Sequence, residues 1–262
     1  MKRVYAVAVV IALVVLALGS SAGARSMKEG VSLEVEVGYA GLAFSGIGDW
    51  YDAWGEFLEA FGWTVEENRP PNQAMPYGVK LKYGLSPILS VTGSAGAFSS
   101  TGRLASSITW DSSTVDLTVD TTVSATFFGA GVQIVLVDPP DYNIFAEVEA
   151  RSWTVTYDES WRETGETTIE KREAGGNTIG GSLAIGGEYF LPNTPISFIG
   201  KIAYRVGKLN QITTTRDDLG DSEVGEPLQT IDPVTFDYKD MPIDLGGWEA
   251  SFGVCFSIFA KK

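Results

Sequence analysis

The sequence predicts an all-β fold: an eight-stranded antiparallel up-and-down transmembrane β-barrel with a short amphipathic helix in its first long loop. Two observations lead to this prediction. Apolar and polar residues alternate with a period of two in many segments, as they do in strands whose successive side chains point to opposite faces. Short turns also alternate with long polar segments, which is the connection pattern of a membrane-spanning barrel.

The N-terminal residues predict an export signal. Two basic residues precede an uncharged, almost wholly apolar run over 4–19, and Ala22 and Ala24 form a small-x-small cleavage site. The run is short for a membrane-spanning helix, which needs about 20 residues. We therefore expect residues 1–24 to be a cleaved signal peptide and residues 25–262 to form the barrel domain.

Period-two alternation marks the strands. In the first strand segment, one face carries Leu33, Val35 and Val37, and the other carries Glu34 and Glu36. Each strand of a membrane barrel has one apolar and one polar face, so this pattern is the expected one. The same alternation recurs in three further segments, at 79–83, 196–206 and 248–258.

The connections fall into two length classes. The short ones are turn clusters between apolar strand patterns, at 84–87, 138–141 and 192–195. The long ones are polar segments, at about 45–75, 99–118, 158–177 and 208–244. Three short turns join three hairpins, and one further strand at each end gives eight strands and four long loops. Both termini then lie on the periplasmic side, as an exported chain requires.

Aromatic residues lie near both predicted ends of the strands. Amphipathic rings favour the membrane–water interface, so two aromatic girdles support a membrane barrel. The predicted periplasmic girdle comprises Tyr83, Tyr142, Phe145, Tyr189, Phe190 and Phe259. The predicted outer girdle comprises Trp153, Tyr157, Tyr204 and Trp248.

The polar strand faces carry charges of both signs in near balance, although the whole chain has 33 acidic and 19 basic residues and a net charge of −14. A solvated outer face would follow the overall acidity, whereas a lumen is neutralised by internal ion pairs. We therefore predict a lumen charge network that fills a narrow interior. Its members are Glu34, Glu36, Lys80, Lys82, Glu147, Glu149, Arg151, Glu188, Lys201, Arg205 and Glu249.

The whole chain resembles the small outer-membrane β-barrel proteins of the opacity-protein and OmpW-like type. The export signal, the hairpin over 78–91, a similar hairpin over 187–198 and the last strand carry this resemblance. The last strand is similar to the assembly signal of these proteins through Ser251, Gly253, Phe256 and Ile258. The resemblance implies a bacterial outer-membrane location, contact with outer-membrane lipid, and recognition of the last strand by the barrel assembly machinery.

The first long segment predicts the short amphipathic helix, with Asp49 as its N-cap. Bulky apolar residues recur there at helical spacing and form one face. This face either packs on the barrel rim or serves as an interfacial or ligand-gating element. Its members are Trp50, Trp54, Phe57, Leu58 and Phe61.

Acidic residues cluster in the last long segment. Clustered carboxylates are candidates for a calcium or magnesium site, but their spacing does not match an EF-hand loop. A solvated acidic loop is the alternative interpretation. The candidate residues are Asp217, Asp218, Asp221, Glu223 and Glu226. No cofactor is predicted.

The composition excludes several kinds of chemistry. The chain contains no histidine, so no Ser–His, Cys–His or His–Asp catalytic unit can form. Its single cysteine excludes an intrachain disulfide, and its acidity argues against binding nucleic acid. We therefore predict that the protein is not an enzyme.

Our leading functional hypothesis is a non-enzymatic integral outer-membrane protein with a structural or surface-interaction role through its long acidic outer loops. Two alternatives remain open: a narrow channel or carrier for a small solute, whether polar or apolar, and a soluble exported β-barrel binding module. Side-chain direction discriminates between membrane and soluble barrels, because only a membrane barrel turns its apolar faces outward. The test residues are Leu81, Ile202, Tyr204, Phe252 and Val254 outward, and Lys82, Lys201, Arg205 and Glu249 inward.

Overall fold

The structure is a computed structural model that describes residues 30–42, 45–165, 169–220, 223–231 and 238–260. The predicted signal peptide lies outside these residues. The elements are β1 (Gly30–Gly41), α1 (Ser45–Ala60), β2 (Thr64–Arg69), β3 (Gln73–Ala74), β4 (Tyr77–Ser86), β5 (Leu89–Trp110), β6 (Ser113–Val137), β7 (Tyr142–Glu163), β8 (Glu170–Phe190), β9 (Ile196–Leu209), β10 (Thr213–Asp217), β11 (Gln229–Ile231), β12 (Tyr238–Asp240), β13 (Ile243–Asp244) and β14 (Gly247–Ala260).

Eight of the strands close into an antiparallel ring. Neighbours pair in the order β1–β4–β5–β6–β7–β8–β9–β14, and β14 returns to β1 through pairs such as Val35 with Val254. This arrangement confirms the predicted eight-stranded up-and-down barrel. Short connections link β4 to β5, β6 to β7 and β8 to β9. We call the end of the barrel with these connections the turn end and the opposite end the loop end.

Four of the barrel strands are much longer than the other four. Strands β5 to β8 contain 22, 25, 22 and 21 residues, whereas β1, β4, β9 and β14 contain 10 to 14. The long strands extend at the loop end as a wall formed by 99–110, 113–126, 152–163 and 170–177. At about 3.3 Å per residue, a 12-residue stretch is about 40 Å long.

The wall corrects the sequence prediction, which assigned 99–118 and 158–177 to long loops. Asp111 and Ser112 connect β5 directly to β6, with φ angles of 47° and 73° as a tight hairpin turn requires. Strand β2 pairs with β5, and β10 pairs with β8, so both edges of the wall gain a further strand. The segments look like loops in sequence because their outward faces are polar, rich in serine and threonine over 99–118 and in charged residues over 158–177.

The polarity of the two strand faces inverts along the barrel. In the lower part, towards the turn end, apolar side chains point outward and charged ones point inward. In the wall, the inward residues Val119, Val123 and Val155 are fully buried, whereas polar side chains point outward. We call the outward apolar side chains of the lower part the belt. Its exposed members include Val37, Tyr39, Tyr77, Leu81, Tyr83, Phe128, Val132, Val148, Ile179, Leu183, Ile185, Ile202, Tyr204, Val206, Trp248 and Phe252.

A second apolar layer, the cap core, lies inside the wall. Helix α1 and the connection between β9 and β14 pack there against the inner face of the wall. Its buried members include Ile47, Trp50, Tyr51, Leu58, Phe98, Leu104, Val119, Val123, Phe127, Trp153, Val155, Tyr157, Leu209, Ile212, Leu228, Met241, Ile243 and Leu245. The predicted helix is thus confirmed, but it begins at Ser45, so Asp49 lies within the helix and is not its cap.

The aromatic girdles differ in part from the prediction. Tyr83, Tyr142 and Tyr189 are exposed near the turn end, and Tyr204 and Trp248 are exposed at the upper edge of the belt. Three predicted members point inward instead and are at most 2% exposed: Phe145, Trp153 and Tyr157. They occupy the same face of β7 as Glu147 and Arg151, which excludes them from the lipid-facing side. Phe190 is half-buried, and the side chain of Phe259 lies outside the description.

None of the helices within the described residues has the length and apolar character needed to cross a membrane.

Candidate functional site

The lower interior of the barrel contains all the residues predicted for the lumen charge network. Each side chain comes from an inward strand position, and each residue is at most 7% exposed. An open aqueous pore would leave its lining accessible to water, so the interior is filled at this level. The residues are Glu34, Glu36, Lys80, Lys82, Glu147, Glu149, Arg151, Glu188, Lys201, Arg205 and Glu249.

Near the turn end, the network centres on Glu188. Lys82 Nζ donates to Glu188 Oε2 over 2.9 Å, and the Ser197 hydroxyl donates to Glu188 Oε1 over 2.5 Å. Asn143 Nδ2 adds a longer contact of 3.5 Å to Glu188 Oε2. The buried carboxylate therefore has hydrogen-bond donors on both oxygens, which offsets the cost of removing it from water.

At mid-height, ion pairs cross the lumen between strands that are not neighbours. Lys80 Nζ of β4 lies 2.5 Å from Glu147 Oε1 of β7. Lys201 of β9 pairs with two carboxylates of β1, Glu36 and Glu34, and its Nζ lies 3.6 Å from Glu34 Oε1. The first contact spans two intervening strands, β5 and β6, and the second spans one, β14.

The upper part of the network contacts the aromatic rings at the lower side of the cap core. Arg151 pairs with Glu149 over 2.9 Å, and Arg205 Nε lies 3.4 Å from Glu249 Oε2. The Arg151 guanidinium stacks 4.4 Å from the centroid of the Phe127 ring. The Arg205 guanidinium lies 5.3 Å from the Phe98 ring, and both rings contact Trp153. Charge and aromatic packing therefore close the interior together.

Higher still, the wall contains a buried polar cluster that the sequence prediction missed. Arg172 NH1 lies 3.5 Å from Glu159 Oε1, and its Nε lies 3.7 Å from Asp217 Oδ2. Trp161 Nε1 donates to Glu159 Oε1 over 2.5 Å, and the Tyr157 hydroxyl donates to Glu159 Oε2. Burial and the adjacent carboxylate raise the pKa of Tyr157 well above its usual value, so the hydroxyl keeps its proton as a donor.

The candidate metal ligands do not form one cluster. Asp217 lies in the buried cluster with Arg172, whereas Asp218 pairs with Arg216 over 2.6 Å. The hydrogen bond from Arg216 holds the pKa of Asp218 below its usual range. Glu223 and Glu226 are exposed, and Asp221 lies outside the described residues. In the part of the chain that the structure describes, no group of three His, Cys, Asp or Glu residues could hold a metal ion.

The predicted apolar face of the helix divides between core and surface. Trp50 and Leu58 are buried in the cap core, and Trp54 and Phe57 are half-buried. Phe61 lies just beyond the helix and is 64% exposed. Trp54 packs edge-on against Trp161 of the wall at 5.7 Å, so the helix packs on the wall through aromatic contacts.

The close packing of the network gives a first testable prediction. A Cβ added at Gly129 would overlap the carboxylate of Glu149 and lie 2.6 Å from Ser94 Oγ, so Gly129→Ala should displace the partner of Arg151. We expect a loss of about 1–3 kcal/mol in the free energy of unfolding, measured by urea titration in detergent micelles. The control is Gly93→Ala, where an added Cβ meets nothing within 4 Å. Equal losses in both variants would contradict the packing described here.

Comparison with known proteins finds similarity to solved structures alone. No protein-family model matches the chain, and no curated protein matches it. The crystal structure of Ail, the attachment invasion locus protein of Yersinia pestis, is similar at 12% identity and a TM-score of 0.35, over 87% of this chain and 99% of that one. The outer membrane protease OmpT from Escherichia coli is similar at 9% identity and a TM-score of 0.37, over 90% of this chain and 98% of that one.

Proposed function

We propose that the protein is a non-enzymatic integral outer-membrane β-barrel with a closed interior, and that its loop-end surface carries its interactions. The inversion of polarity along β5 to β8 is the observation that supports this proposal. Outward apolar side chains need a lipid environment, whereas outward polar side chains above an apolar core need water. One set of strands therefore fits two solvents, with the boundary at the top of the belt.

The size of the belt supports lipid contact over a soluble binding module. The four short strands contain 10 to 14 residues, which matches the 9–11 tilted residues that cross a bilayer. Leu81, Ile185 and Phe252 are each more than 50% exposed and come from different parts of the ring. Soluble monomers rarely expose apolar patches larger than a few hundred Å².

The orientation follows from the positions of the connections. Membrane barrels of this kind have short periplasmic turns and long outer loops. The turn end, where the first and last described residues lie, then faces the periplasm. The wall and its cap core face the outside of the cell. The exposed side of α1 bears Asp49, Asp52, Glu56 and Glu59, which gives this outer surface an acidic character.

The filled interior argues against a channel or a carrier. Ion pairs fill the lumen from Lys82 near the turn end to Arg205 beneath the cap core. Above them, the rings of Phe98, Phe127 and Trp153 are each at most 5% exposed. Each lumen carboxylate pairs with a lysine or an arginine and is buried, so none is placed to act as a base on a bound substrate, which supports a non-enzymatic role.

The proposal predicts that the protein does not conduct. Purified protein inserted into a planar bilayer should give no reproducible single-channel steps, because the ion pairs and the cap core formed by the described residues fill the interior. A wide porin in the same bilayer provides the positive control for insertion and recording. Reproducible steps from the wild-type protein would overturn the closed-interior proposal, and recovery of the protein in the soluble periplasm without detergent would overturn its membrane location.

A further inference from the structure

The upper side of the cap core, towards the tip of the wall, is formed by apolar side chains that are only partly buried. Each packs on the buried members of the cap core but keeps part of its surface open to solvent. Three of the five are tryptophans, a residue type that is enriched among the hot spots of protein interfaces. We call these side chains the platform. Its members are Trp54, Trp63, Val65, Leu117 and Trp161.

The β5–β6 hairpin continues this apolar surface beyond the platform. Leu117 pairs in register with Ser106. The next inward pair on these strands is Ile108 with Val115, and both are partly buried. Trp110 follows on the same face of β5, beside the two-residue turn, and is 73% exposed. Lipid accounts for the belt, but the wall stands above the belt, so lipid does not account for this surface. A contiguous exposed apolar surface in water marks an interaction site.

Aromatic contacts hold the platform in place and extend it along α1. Trp161 Nε1 donates to the buried Glu159, which fixes the indole on the inner face of β7. Trp54 packs edge-on against that indole at 5.7 Å and against Phe57 at 5.4 Å. Phe57 packs in turn against Phe61, with ring centroids 4.6 Å apart, and Phe61 is 64% exposed. A surface that is ordered before binding loses little entropy when a partner docks.

Carboxylates border the platform on two sides. Glu56 and Glu59 are exposed on α1, and this helix contains no lysine or arginine. On the opposite side, Glu163 shares the inner face of β7 with Trp161. Glu170 of β8 pairs in register with Trp161. The helix and the wall therefore both contribute acidic groups to the edge of one apolar surface.

The cations on the same strands face away from the platform or are already paired. Arg162 and Lys171 occupy outward positions of β7 and β8. Arg172 occupies an inward position but is buried beside Glu159 and Asp217. Among the described inward positions of β5 to β8 between Arg172 and the tip of the wall, none is a lysine or an arginine. The border of the platform is therefore acidic.

An apolar surface with an acidic border favours one class of partner. Bulky apolar side chains of the partner would cover the platform, and its lysine or arginine side chains would pair with the border. A neutral saccharide could stack on the tryptophans, but it would leave the carboxylates unpaired and the aliphatic Val65, Leu117 and Ile108 without an apolar contact. Nucleic acids and sulfated saccharides carry charge of the same sign as the border, which repels them.

We propose that the platform and the β5–β6 hairpin bind a basic polypeptide segment of another protein, in which bulky apolar residues are interspersed with lysine or arginine. The inference rests on the proposed function, because it needs the loop end to face the outside of the cell. It names the class of partner for the loop-end surface.

The test measures the binding of a short fluorescein-labelled peptide of alternating lysine and tryptophan to the protein in phosphatidylcholine nanodiscs. Fluorescence anisotropy is the readout, and the signal from empty nanodiscs is subtracted. We expect saturable binding to the wild type that weakens as salt is added. Trp110→Ser should raise the dissociation constant about tenfold, because it removes an exposed aromatic contact. Trp110→Phe keeps most of that contact and should bind within about twofold of the wild type.

A matched pair of variants on β7 tests the role of the border charge. Glu163→Lys, on the inner face, should raise the dissociation constant about fivefold and reduce its dependence on salt. Asp158→Lys lies on the outward face of the same strand and should bind within about twofold of the wild type. Both residues are exposed, so neither substitution disturbs the core. Strand content by circular dichroism verifies that each variant is folded.

Four outcomes would overturn the inference while leaving the proposed barrel intact. They are equal anisotropy with wild-type and empty nanodiscs, equal binding of the same peptide with glutamate in place of lysine, and unchanged binding in either Trp110→Ser or Glu163→Lys. The fourth is displacement of the labelled peptide by maltoheptaose at a lower concentration than by unlabelled peptide, which would assign the platform to a saccharide. Failure of the wild type to enter nanodiscs would instead contradict the proposed function, and the inference would fall with it.

Discussion

A Lys201→Met variant is expected to unfold at a markedly lower urea concentration than the wild type. The Lys201 ammonium pairs with both Glu34 and Glu36, and all three side chains are buried. Methionine has a similar length but no charge, so the substitution leaves two buried carboxylates without their cation. Removing one partner of a buried ion pair costs about 3–5 kcal/mol. Urea titration in detergent micelles, followed by tryptophan fluorescence, measures the change in the free energy of unfolding.

The matched control is Lys208→Met, on the same strand. Lys208 is exposed beyond the top of the belt, so the free energy of unfolding should change by less than about 0.5 kcal/mol. Adding Glu34→Gln and Glu36→Gln to Lys201→Met should restore part of the lost stability, because no unpaired charge then remains. If Lys201→Met unfolds at the same urea concentration as Lys208→Met, the lumen is hydrated and the closed interior is wrong.

A second large effect is expected from a single aspartate inside the wall. Val119 is 0% exposed on the inner face of β6, where Val119→Asp would bury a carboxylate in the cap core. Burying an unpaired charge costs several kcal/mol, so we expect the cap core to unfold or the variant to fail to fold. Thr118→Asp, one residue earlier and on the outward face, should change the free energy of unfolding by less than about 0.5 kcal/mol. Urea titration of both variants in micelles measures the difference.

The same strand supplies the reciprocal variant in the belt. Val132 points outward at 40% exposure, and Val132→Arg places a charge against lipid. Charged residues on the lipid face of a barrel cost about 2–4 kcal/mol near the bilayer midplane. Outward charge is thus expected to be harmful at position 132 and harmless at position 118. Equal tolerance of charge at both positions would show that β6 does not cross from lipid to water between them.

The barrel could be predicted because alternation is strongest where the two faces meet the most different environments. Over Leu33–Tyr39, carboxylates in the lumen alternate with apolar residues on the belt. The wall could not be predicted in the same way. Its inward face mixes Leu104 with Ser100 and Ser106, so the contrast between faces is weak there and the segment looks like a polar loop.

The candidate site could be predicted by membership but not by pairing. Glu147, Glu149 and Arg151 share a face of β7, and the same odd-numbered face continues through Trp153 and Glu159. Following this parity would have placed Trp153 inward and revealed the buried cluster at Glu159. The pairing of the charges could not be predicted. Lys80 contacts Glu147, 67 residues away, because strand tilt and register place both at one height in the lumen. The height of a side chain in the lumen cannot be predicted from a single sequence.

The positions of strand pairing also determine the order in which the barrel can assemble. Strands β5 and β6 meet through a two-residue turn, whereas β1 and β14 join Gly30 to Ala260 across almost the whole chain. Because long loops cost more entropy to close, the hairpins of the wall should form early and the junction of β1 with β14 should form last. Lys201 reaches Glu34 only after β14 connects β9 to β1. The lumen charges thus remain hydrated until the final step of folding. Closure of the barrel and loss of water from its interior are therefore expected to occur in the same kinetic step.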